Sequence, residues 1–184
     1  MKYLFVIDMQ NDFVTGSLGS KEAQAIVPNV VKKVENAFAN NTNVIFTRDT
    51  HDVNYLDTLE GKLLPVEHCL KGTQGWDIIS ELQPYVDEDD GYGYSNVHDK
   101  YTFGYQYIED ILPYSFGCKN EDEIEVVGLC TDICIVSNAL LLRMLYPNTK
   151  IIVDASCCAG TNPQKHLEAL SVMESCQITI INKE

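Results

Sequence analysis

Short runs rich in apolar residues alternate along the chain with longer stretches that carry apolar residues at helical spacing. The runs lie at residues 3–7, 44–47, 123–129, 150–153 and 177–181, and the first is apolar without alternation, as in a strand buried on both faces. Helices are predicted from Pro28 to about residue 39, from Asp132 to about residue 145, and after the N-cap Asn162, which Pro163 follows. Strands that alternate with helices predict a three-layer α/β/α sandwich around a mostly parallel sheet.

Length and charge narrow the possible partners. With 184 residues, against about 150 per domain, residues 1–184 are expected to form a single domain. The 27 acidic and 13 basic residues give a formal net charge of −14. Such a surface repels phosphate backbones and anionic lipid, so neither nucleic acid nor a membrane is expected as a partner.

The apolar segments and the cysteines indicate the compartment. No segment reaches the ~18 apolar residues of a membrane span, and Asp8 interrupts the first run too early for a signal peptide. We therefore expect a cytoplasmic protein. In a reducing compartment the seven cysteines, which include no CxxC pair, are expected to be free thiols that mostly fill the core.

Residues whose side chains could bind a ligand or take part in catalysis cluster where the predicted strands end. In parallel α/β sheets, ligands bind beyond the carboxyl ends of the strands. Asp8 ends the first strand, residues 48–51 end the second, Lys100 ends a short run, and residues 129–134 follow another strand. The segment 49–104 is long and weakly periodic, which is typical of a functional loop.

Cys134 is the first candidate nucleophile. It lies in GLCTDIC, in the first turn of a predicted helix whose N-cap is expected to be Thr131 or Asp132. Free backbone N–H groups and the helix dipole favour a thiolate there and could also bind an oxyanion. The alternative is a small core residue, since free cysteine is commonly buried.

Asp8 and Lys100 are the candidate partners of that cysteine. A carboxylate at the end of a buried strand must be paired or functional, because an isolated buried charge is costly. A turn residue and a phosphoacceptor aspartate are the alternatives for Asp8. Lys100 is a surface lysine in the simplest interpretation. If it lies beside Asp8, it would keep that carboxylate ionised and stabilise developing negative charge.

Three segments, FVIDMQNDF, VHDKYTFG and VGLCTDICIVSNAL, resemble the signatures of the isochorismatase-like cysteine hydrolases. The resemblance extends to VDASCCAG and to the helix around His166, and the middle segment is similar to the nicotinamidase/pyrazinamidase branch. It implies that Asp8 is the general base, Lys100 the stabilising cation and Cys134 the nucleophile that forms a thioester with an amide substrate.

The same resemblance implies further features of the site. The backbone N–H groups of Cys130 and Cys134 would form the oxyanion hole, and the Leu129–Cys130 peptide would be cis. Members of the family are often dimers or tetramers, so a homo-oligomer is expected.

A second cluster suggests a metal. In RDTHDVNYLDTLEGKLLPVEHC, Asp49 and His51 are two residues apart in extended chain, so both side chains point the same way. Carboxylate and imidazole suit zinc, which we expect first, or manganese or iron; a polar surface loop is the alternative. The nicotinamidase resemblance adds His68 and, in some members, a glutamate, here Glu60. His98 is interpreted as structural.

The substrate pocket is where the sequence departs from that branch. Phe13 matches a pocket aromatic residue, although a core phenylalanine explains it equally well. Nicotinamidases commonly place an aromatic residue before the second metal histidine, and here Leu64 or Pro65 replaces it. Trp76 lies past that histidine and cannot be assumed to substitute.

The expected substrate is a small-molecule amide, and nicotinamide, cleaved to nicotinate and ammonia, is the first choice. Three alternatives stay open: hydrolysis of another small amide, ureido or N-carbamoyl compound; a non-catalytic isochorismatase-like binding protein; and a thiol redox protein that uses Cys130 with Cys134 or Cys157 with Cys158.

Overall fold

The computed structural model describes residues 1–88, 95–113 and 122–183. Six strands form one sheet in the order β3-β2-β1-β4-β5-β6, and every pairing between neighbours is parallel. The strands are β1 (Lys2–Ile7), β2 (Asn43–Asp49), β3 (Val97–Lys100), β4 (Glu123–Leu129), β5 (Lys150–Ala159) and β6 (Thr179–Ile181). The predicted parallel sheet is confirmed, although β5 extends well beyond residue 153.

Helices cover both faces of the sheet. They are α1 (Asn11–Val14), α2 (Lys21–Ala39), α3 (Leu59–Leu63), α4 (Ile108–Ile111), α5 (Val136–Leu145) and α6 (Pro163–Ser175). One apolar core packs α2 against one face, and a second packs α4, α5 and α6 against the other. The three-layer α/β/α prediction is therefore confirmed, as is the Asn162 cap, whose side chain accepts from the Lys165 N–H.

The prediction that α2 begins at Pro28 is wrong. Ser20 is the N-cap and accepts a hydrogen bond from the Ala23 N–H at 3.0 Å, so Pro28 lies inside the helix. An internal proline costs about 3 kcal/mol. The additional turns bury Ala23 and Ile26 against the sheet, and this burial offsets that cost.

The central strands approach closely at Gly128. Its φ of +119° is accessible to glycine, and a Cβ there would lie 2.1 Å from the Ile7 carbonyl oxygen. This contact sets the ends of β1 and β4 side by side. As a result, Asp8 and the segment after Leu129 lie next to each other at the carboxyl edge of the sheet.

Two further expectations concern the membrane and the thiols. Within the three described ranges, no helix is long and apolar enough to cross a membrane. Six of the seven cysteines are free thiols, as predicted; Cys118 lies outside the described residues.

Candidate active site

Lys100 is the centre of a buried cluster at the carboxyl edge of the sheet. It ends β3, directly beside Asp49 in the parallel register, and β1 follows next in the sheet. Its Nζ lies 2.8 Å from Asp8 Oδ2, 3.0 Å from Asp49 Oδ1 and 3.4 Å from Cys134 Sγ. One buried cation therefore contacts two carboxylates and a thiol. The expectation that Lys100 lies beside Asp8 is met, and the surface-lysine interpretation is wrong.

Asp8 is held in position by its backbone and by β2. Its φ of +51° is left-handed, a conformation that aspartate tolerates better than most residues. Thr47 Oγ1 donates to Asp8 Oδ1 at 2.7 Å. Burial raises the pKa of Asp8, and the Lys100 charge opposes this shift. The result is a carboxylate whose proton affinity is increased, as a general base requires.

Cys134 is a buried thiol in the structure. Burial raises its pKa well above the ordinary value; the Lys100 charge lowers it, and the charges of Asp8 and Asp49 raise it again. Burial and two nearby carboxylates therefore oppose the thiolate that the helix N-terminus favours, and the helix-dipole argument omitted both. Asp8, which shares the Lys100 ammonium with Cys134, is the candidate acceptor for the thiol proton.

The turn that carries Cys134 is a π-helix, Thr131–Ile135, that leads into α5. Ile135 N–H donates to the Cys130 carbonyl at 3.0 Å, which is an i→i+5 bond. Neither Thr131 nor Asp132 caps the helix as predicted, because each side chain binds a different segment. Thr131 Oγ1 contacts His166 Nδ1 at 2.8 Å, and Asp132 accepts from the Thr161 N–H and hydroxyl at 2.8 and 2.6 Å.

Asn138, one turn after the cysteine, is a functional candidate that the sequence analysis missed. Its buried amide donates to the Cys134 carbonyl at 2.8 Å and accepts from the Tyr105 N–H at 2.8 Å. It therefore connects the nucleophile turn to the loop that follows Lys100. A buried asparagine four residues after a candidate nucleophile was the available signal.

The predicted oxyanion segment lies beside the thiol. The Leu129–Cys130 peptide is cis, as the resemblance implied. Cys130 and Cys134 both line the same cavity.

Asp49, His51 and His68 lie together next to the thiol cluster. Their ligand atoms all lie within 4.8 Å of one another, with 3.0 Å between Asp49 Oδ2 and His51 Nε2 and 3.6 Å between Asp49 Oδ2 and His68 Nε2. Glu60 Oε1 lies 3.8 and 3.9 Å from the two imidazole nitrogens. Ligands on one zinc ion, each at about 2.0–2.2 Å, stand at comparable separations from one another.

The hydrogen bonds of these residues also suit a metal. His68 Nδ1 contacts the Val66 carbonyl at 2.8 Å, which leaves the Nε2 lone pair directed at the cluster. His51 Nε2 is buried, and its 3.0 Å contact with Asp49 Oδ2 does not have the geometry of a hydrogen bond. Burial opposes ionisation of Asp49, but the Lys100 charge and the two histidines outweigh it and hold the pKa of Asp49 well below its usual range. These residues therefore fit a divalent cation.

Two residues that the sequence analysis missed support this cluster. Tyr55 is buried, its ring centroid lies 4.6 Å from that of His51 and 5.0 Å from that of His68, and its hydroxyl donates to the Leu64 carbonyl at 2.9 Å. The Gln10 side chain bonds the backbone N–H and carbonyl of Asp49 at 2.7 and 2.9 Å. The Gln10 contact joins positions 39 residues apart, and the Tyr55 ring packs against two histidines that lie on either side of it in the sequence, so neither contact follows from a local pattern.

A cavity of about 710 Å³ joins the two clusters. The predicted pocket residues Phe13 and Leu64 both line it, and the Phe13 ring lies 5.6 Å from that of His68. Trp76 does not line it: the Trp76 Nε1 donates to Thr50, and the Arg48 guanidinium stacks on the indole at 3.8 Å. The remaining apolar lining at the mouth was not predicted and comprises Leu59, Leu63, Tyr101 and Phe103. His98 lies outside both clusters and stacks on Tyr105.

Comparison with known proteins places these features in a family. The isochorismatase domain matches residues 2–184. A probable inactive nicotinamidase of Arabidopsis thaliana is 31% identical over 176 residues, which span 89% of this chain and 83% of that protein. A pyrazinamidase/nicotinamidase from Streptococcus mutans superposes with a TM-score of 0.81 at 28% identity, over 98% of this chain and 100% of that one. An N-carbamoylsarcosine amidase from Thermoplasma acidophilum gives 0.75 at 26% identity, over 100% and 98%.

Proposed function

The chain belongs to the isochorismatase family, and from that membership and the geometry of the site we propose that it is a cysteine amidohydrolase that converts nicotinamide to nicotinate and ammonia. The observation that carries the proposal is the contact of Lys100 with Asp8, Asp49 and Cys134 at the edge of a cavity that also holds His68. A nucleophile, a base and a candidate metal cluster thus face the same substrate volume.

The first half of the reaction acylates the thiol. Asp8 takes the proton of Cys134, and the Lys100 ammonium at 3.4 Å stabilises the thiolate as it forms. The sulfur attacks the amide carbonyl, and the backbone N–H groups of Cys130 and Cys134 receive the oxyanion. Protonated Asp8 then donates its proton to the departing nitrogen, so ammonia leaves and a thioester remains.

The second half of the reaction hydrolyses the thioester, and the Cys134 sulfur becomes the leaving group. Asp8, again a carboxylate, takes a proton from water as the water attacks the thioester. The tetrahedral intermediate collapses, the C–S bond breaks, and the thiolate recovers the proton through Asp8. Nicotinate is released, and the resting thiol is restored.

Asp49, His51 and His68, with Glu60 beside them, would hold a divalent metal. Zinc suits two imidazoles and carboxylates; manganese and iron are the alternatives that metal analysis would distinguish. A bound divalent cation would supply a ligand position for a ring nitrogen and so orient the substrate. This role favours nicotinamide over substrates without such a nitrogen.

The alternatives predict different outcomes in the same assay. The N-carbamoylsarcosine amidase relative supports a carbamoyl substrate as the second candidate. A non-catalytic protein is a further alternative, because the Arabidopsis relative is named a probable inactive nicotinamidase. Against it, Asp8, Lys100 and Cys134 are all present here, and Lys100 contacts both of the others. A thiol redox protein would release no ammonia from any amide.

Ammonia release from nicotinamide, pyrazinamide, benzamide and N-carbamoylsarcosine tests the proposal, with metal content measured on the same sample. We expect nicotinamide to be the best substrate and Cys134→Ala to remove turnover. Cys176→Ala is the matched control, because it removes a free thiol at the end of α6 that does not line the cavity. Turnover of N-carbamoylsarcosine alone, or equal turnover by Cys134→Ala, would contradict the proposal.

The remaining assignments are part of the same proposal. Residues 1–184 act as one catalytic domain, because Asp8, Asp49 and Lys100 lie at the ends of neighbouring strands of one sheet and Cys134 lies in the turn after β4. A reduced nucleophile favours the cytoplasm. The homo-oligomer that the family resemblance implies is a prediction that light scattering would test.

A further inference from the structure

Five large apolar side chains surround the mouth of the active-site cavity and remain partly exposed. Their exposed fractions are 75% for Leu59, 78% for Leu63, 37% for Leu64, 57% for Tyr101 and 47% for Phe103. All five line the cavity whose inner wall includes Leu129 and Cys134, which are buried. We call these five residues the apolar rim.

The side of the rim that α3 forms is held in place. The Thr58 hydroxyl caps α3 by accepting from the Gly61 N–H at 3.0 Å, and a Cβ on Gly61 would lie 2.2 Å from the Tyr55 carbonyl oxygen. The Tyr55 hydroxyl fixes the far end of α3 through the Leu64 carbonyl. The leucines are therefore presented to solvent by an anchored helix.

The opposite side is anchored as well. The Phe103 carbonyl accepts from Asn138 Nδ2 at 3.2 Å, and the same amide binds the Cys134 carbonyl. The rim is thus tied to the nucleophile turn, and the two belong to one continuous binding surface.

The cavity is larger than nicotinamide needs. Its volume of about 710 Å³ lies among those of pockets that enclose drug-sized ligands, ~300–1,000 Å³. A single pyridine ring with its carboxamide at Cys134 would leave the rim uncovered, and a contiguous exposed apolar patch commonly marks a binding site. Among the described residues, no lysine or arginine lines the cavity, so the rim itself offers no cationic partner to a charged ligand.

We propose that the apolar rim is a second substrate subsite, which binds an uncharged, apolar extension of the carboxamide that is cleaved at Cys134. This inference rests on the proposed amidohydrolase function and adds a substrate class to it, namely primary carboxamides that carry an alkyl or aryl chain. Because the rim shares one cavity with the thiol, the chain of a bound substrate can cover the rim without leaving the catalytic site.

A homologous series of linear primary carboxamides, from propanamide to octanamide, tests the subsite. Burying one methylene is worth about 0.8 kcal/mol, or about fourfold in an equilibrium constant. On a partly open rim we expect kcat/KM to rise about two- to fourfold per methylene until the chain passes the mouth. A flat or falling series would overturn the subsite, and turnover of nicotinamide in the same experiment would leave the proposed function intact.

A binding measurement tests the apolar subsite independently of the proposed amidohydrolase function. Calorimetric titration of Cys134→Ala with the same amides reports affinity without turnover. If this affinity rises with chain length while the wild-type protein cleaves no amide, the rim binds apolar chains, but the proposed function, and with it the substrate role of the rim, is contradicted. Affinity independent of chain length would overturn the subsite.

Substitutions in and outside the apolar rim test whether the gain in affinity per methylene arises there. Leu63→Ser should reduce the gain in affinity per methylene, and its high exposure makes loss of folding improbable as a cause. Leu167→Ser is the matched control, since that leucine is 48% exposed on α6 and does not line the cavity. If Leu63→Ser instead changes the oligomeric state in light scattering while the chain-length series stays flat, the rim is an interface between copies of the chain and the subsite is refuted.

Discussion

Replacing Lys100 with methionine should destabilise the fold as well as stop turnover. The ammonium is buried, 2.8 Å from Asp8 Oδ2 and 3.0 Å from Asp49 Oδ1. Methionine preserves most of the apolar stem but removes the charge. Two buried carboxylates would then face each other without a cation between them.

The expected loss follows from these distances. At an effective dielectric constant of about 20, each pair at this separation attracts by about 6 kcal/mol. Desolvation cancels much of this attraction, and removing one partner of a buried pair typically costs about 3–5 kcal/mol. Because one cation serves two carboxylates, we expect a loss near the upper end, about 5 kcal/mol in the free energy of unfolding of metal-free protein.

Urea denaturation of chelator-treated protein, followed by circular dichroism, measures this loss. Asp8→Asn alone keeps the pair of Lys100 with Asp49, so it should abolish most turnover at a much smaller cost in stability. In that background, Lys100→Met leaves one carboxylate unpaired instead of two, and its cost should fall by about 1–3 kcal/mol. An unchanged midpoint for Lys100→Met, or equal costs in both backgrounds, would refute the charge-balance argument.

Three other perturbations test separate parts of the molecule. Removal of the metal by chelator should raise the KM for nicotinamide by about tenfold or more and affect benzamide far less, because benzamide offers no ring nitrogen; equal losses would exclude a role in orienting the ring. Burial opposes ionisation of Asp154, but Lys33, Ser156 and Asn182 outweigh it and lower its pKa. The carboxylate therefore stabilises the fold above its unfolded pKa of about 4, and the Tm difference between wild type and Asp154→Asn should shrink as the pH falls through and below that value; a constant difference would contradict the assignment. Gly128→Ala should reduce the free energy of unfolding by at least about 4 kcal/mol, since its Cβ would meet the Ile7 carbonyl at 2.1 Å, and near-normal stability in urea would show that the strands can separate.

The sheet could be predicted because the signal for it is local. Runs rich in apolar residues, that of β1 above all, indicate the order of elements along the chain. The carboxyl ends of parallel strands then indicate the edge on which Asp8, Lys100 and Cys134 meet. The start of α2 could not be read in the same way. The Pro28 signal is typical of a first helical turn, but the helix begins after Ser20, because the earlier turns bury Ala23 and Ile26.

The chemistry of the site depended on contacts that no local pattern contains. Burial and the charges of Asp8 and Asp49, which lie at the ends of other strands, raise the pKa of Cys134. Tyr55 and Asn138 were missed because the sequence does not show that the Tyr55 ring packs against both imidazoles or that Asn138 accepts from the Tyr105 N–H. The i→i+5 bond at Cys130 likewise belongs to the tertiary setting of the nucleophile turn.

Asp49 had been assigned to the metal alone, and the structure gives it a second contact that links the two clusters. Its Oδ1 contacts Lys100, while its Oδ2 faces His51 and His68. The combined clusters thus hold three carboxylates, those of Asp8, Asp49 and Glu60, and the single ammonium of Lys100. A divalent cation between the histidines would offset this excess of acidic groups over the one basic group. The charge balance of the nucleophile's base and the occupancy of the metal cluster are therefore coupled through one carboxylate.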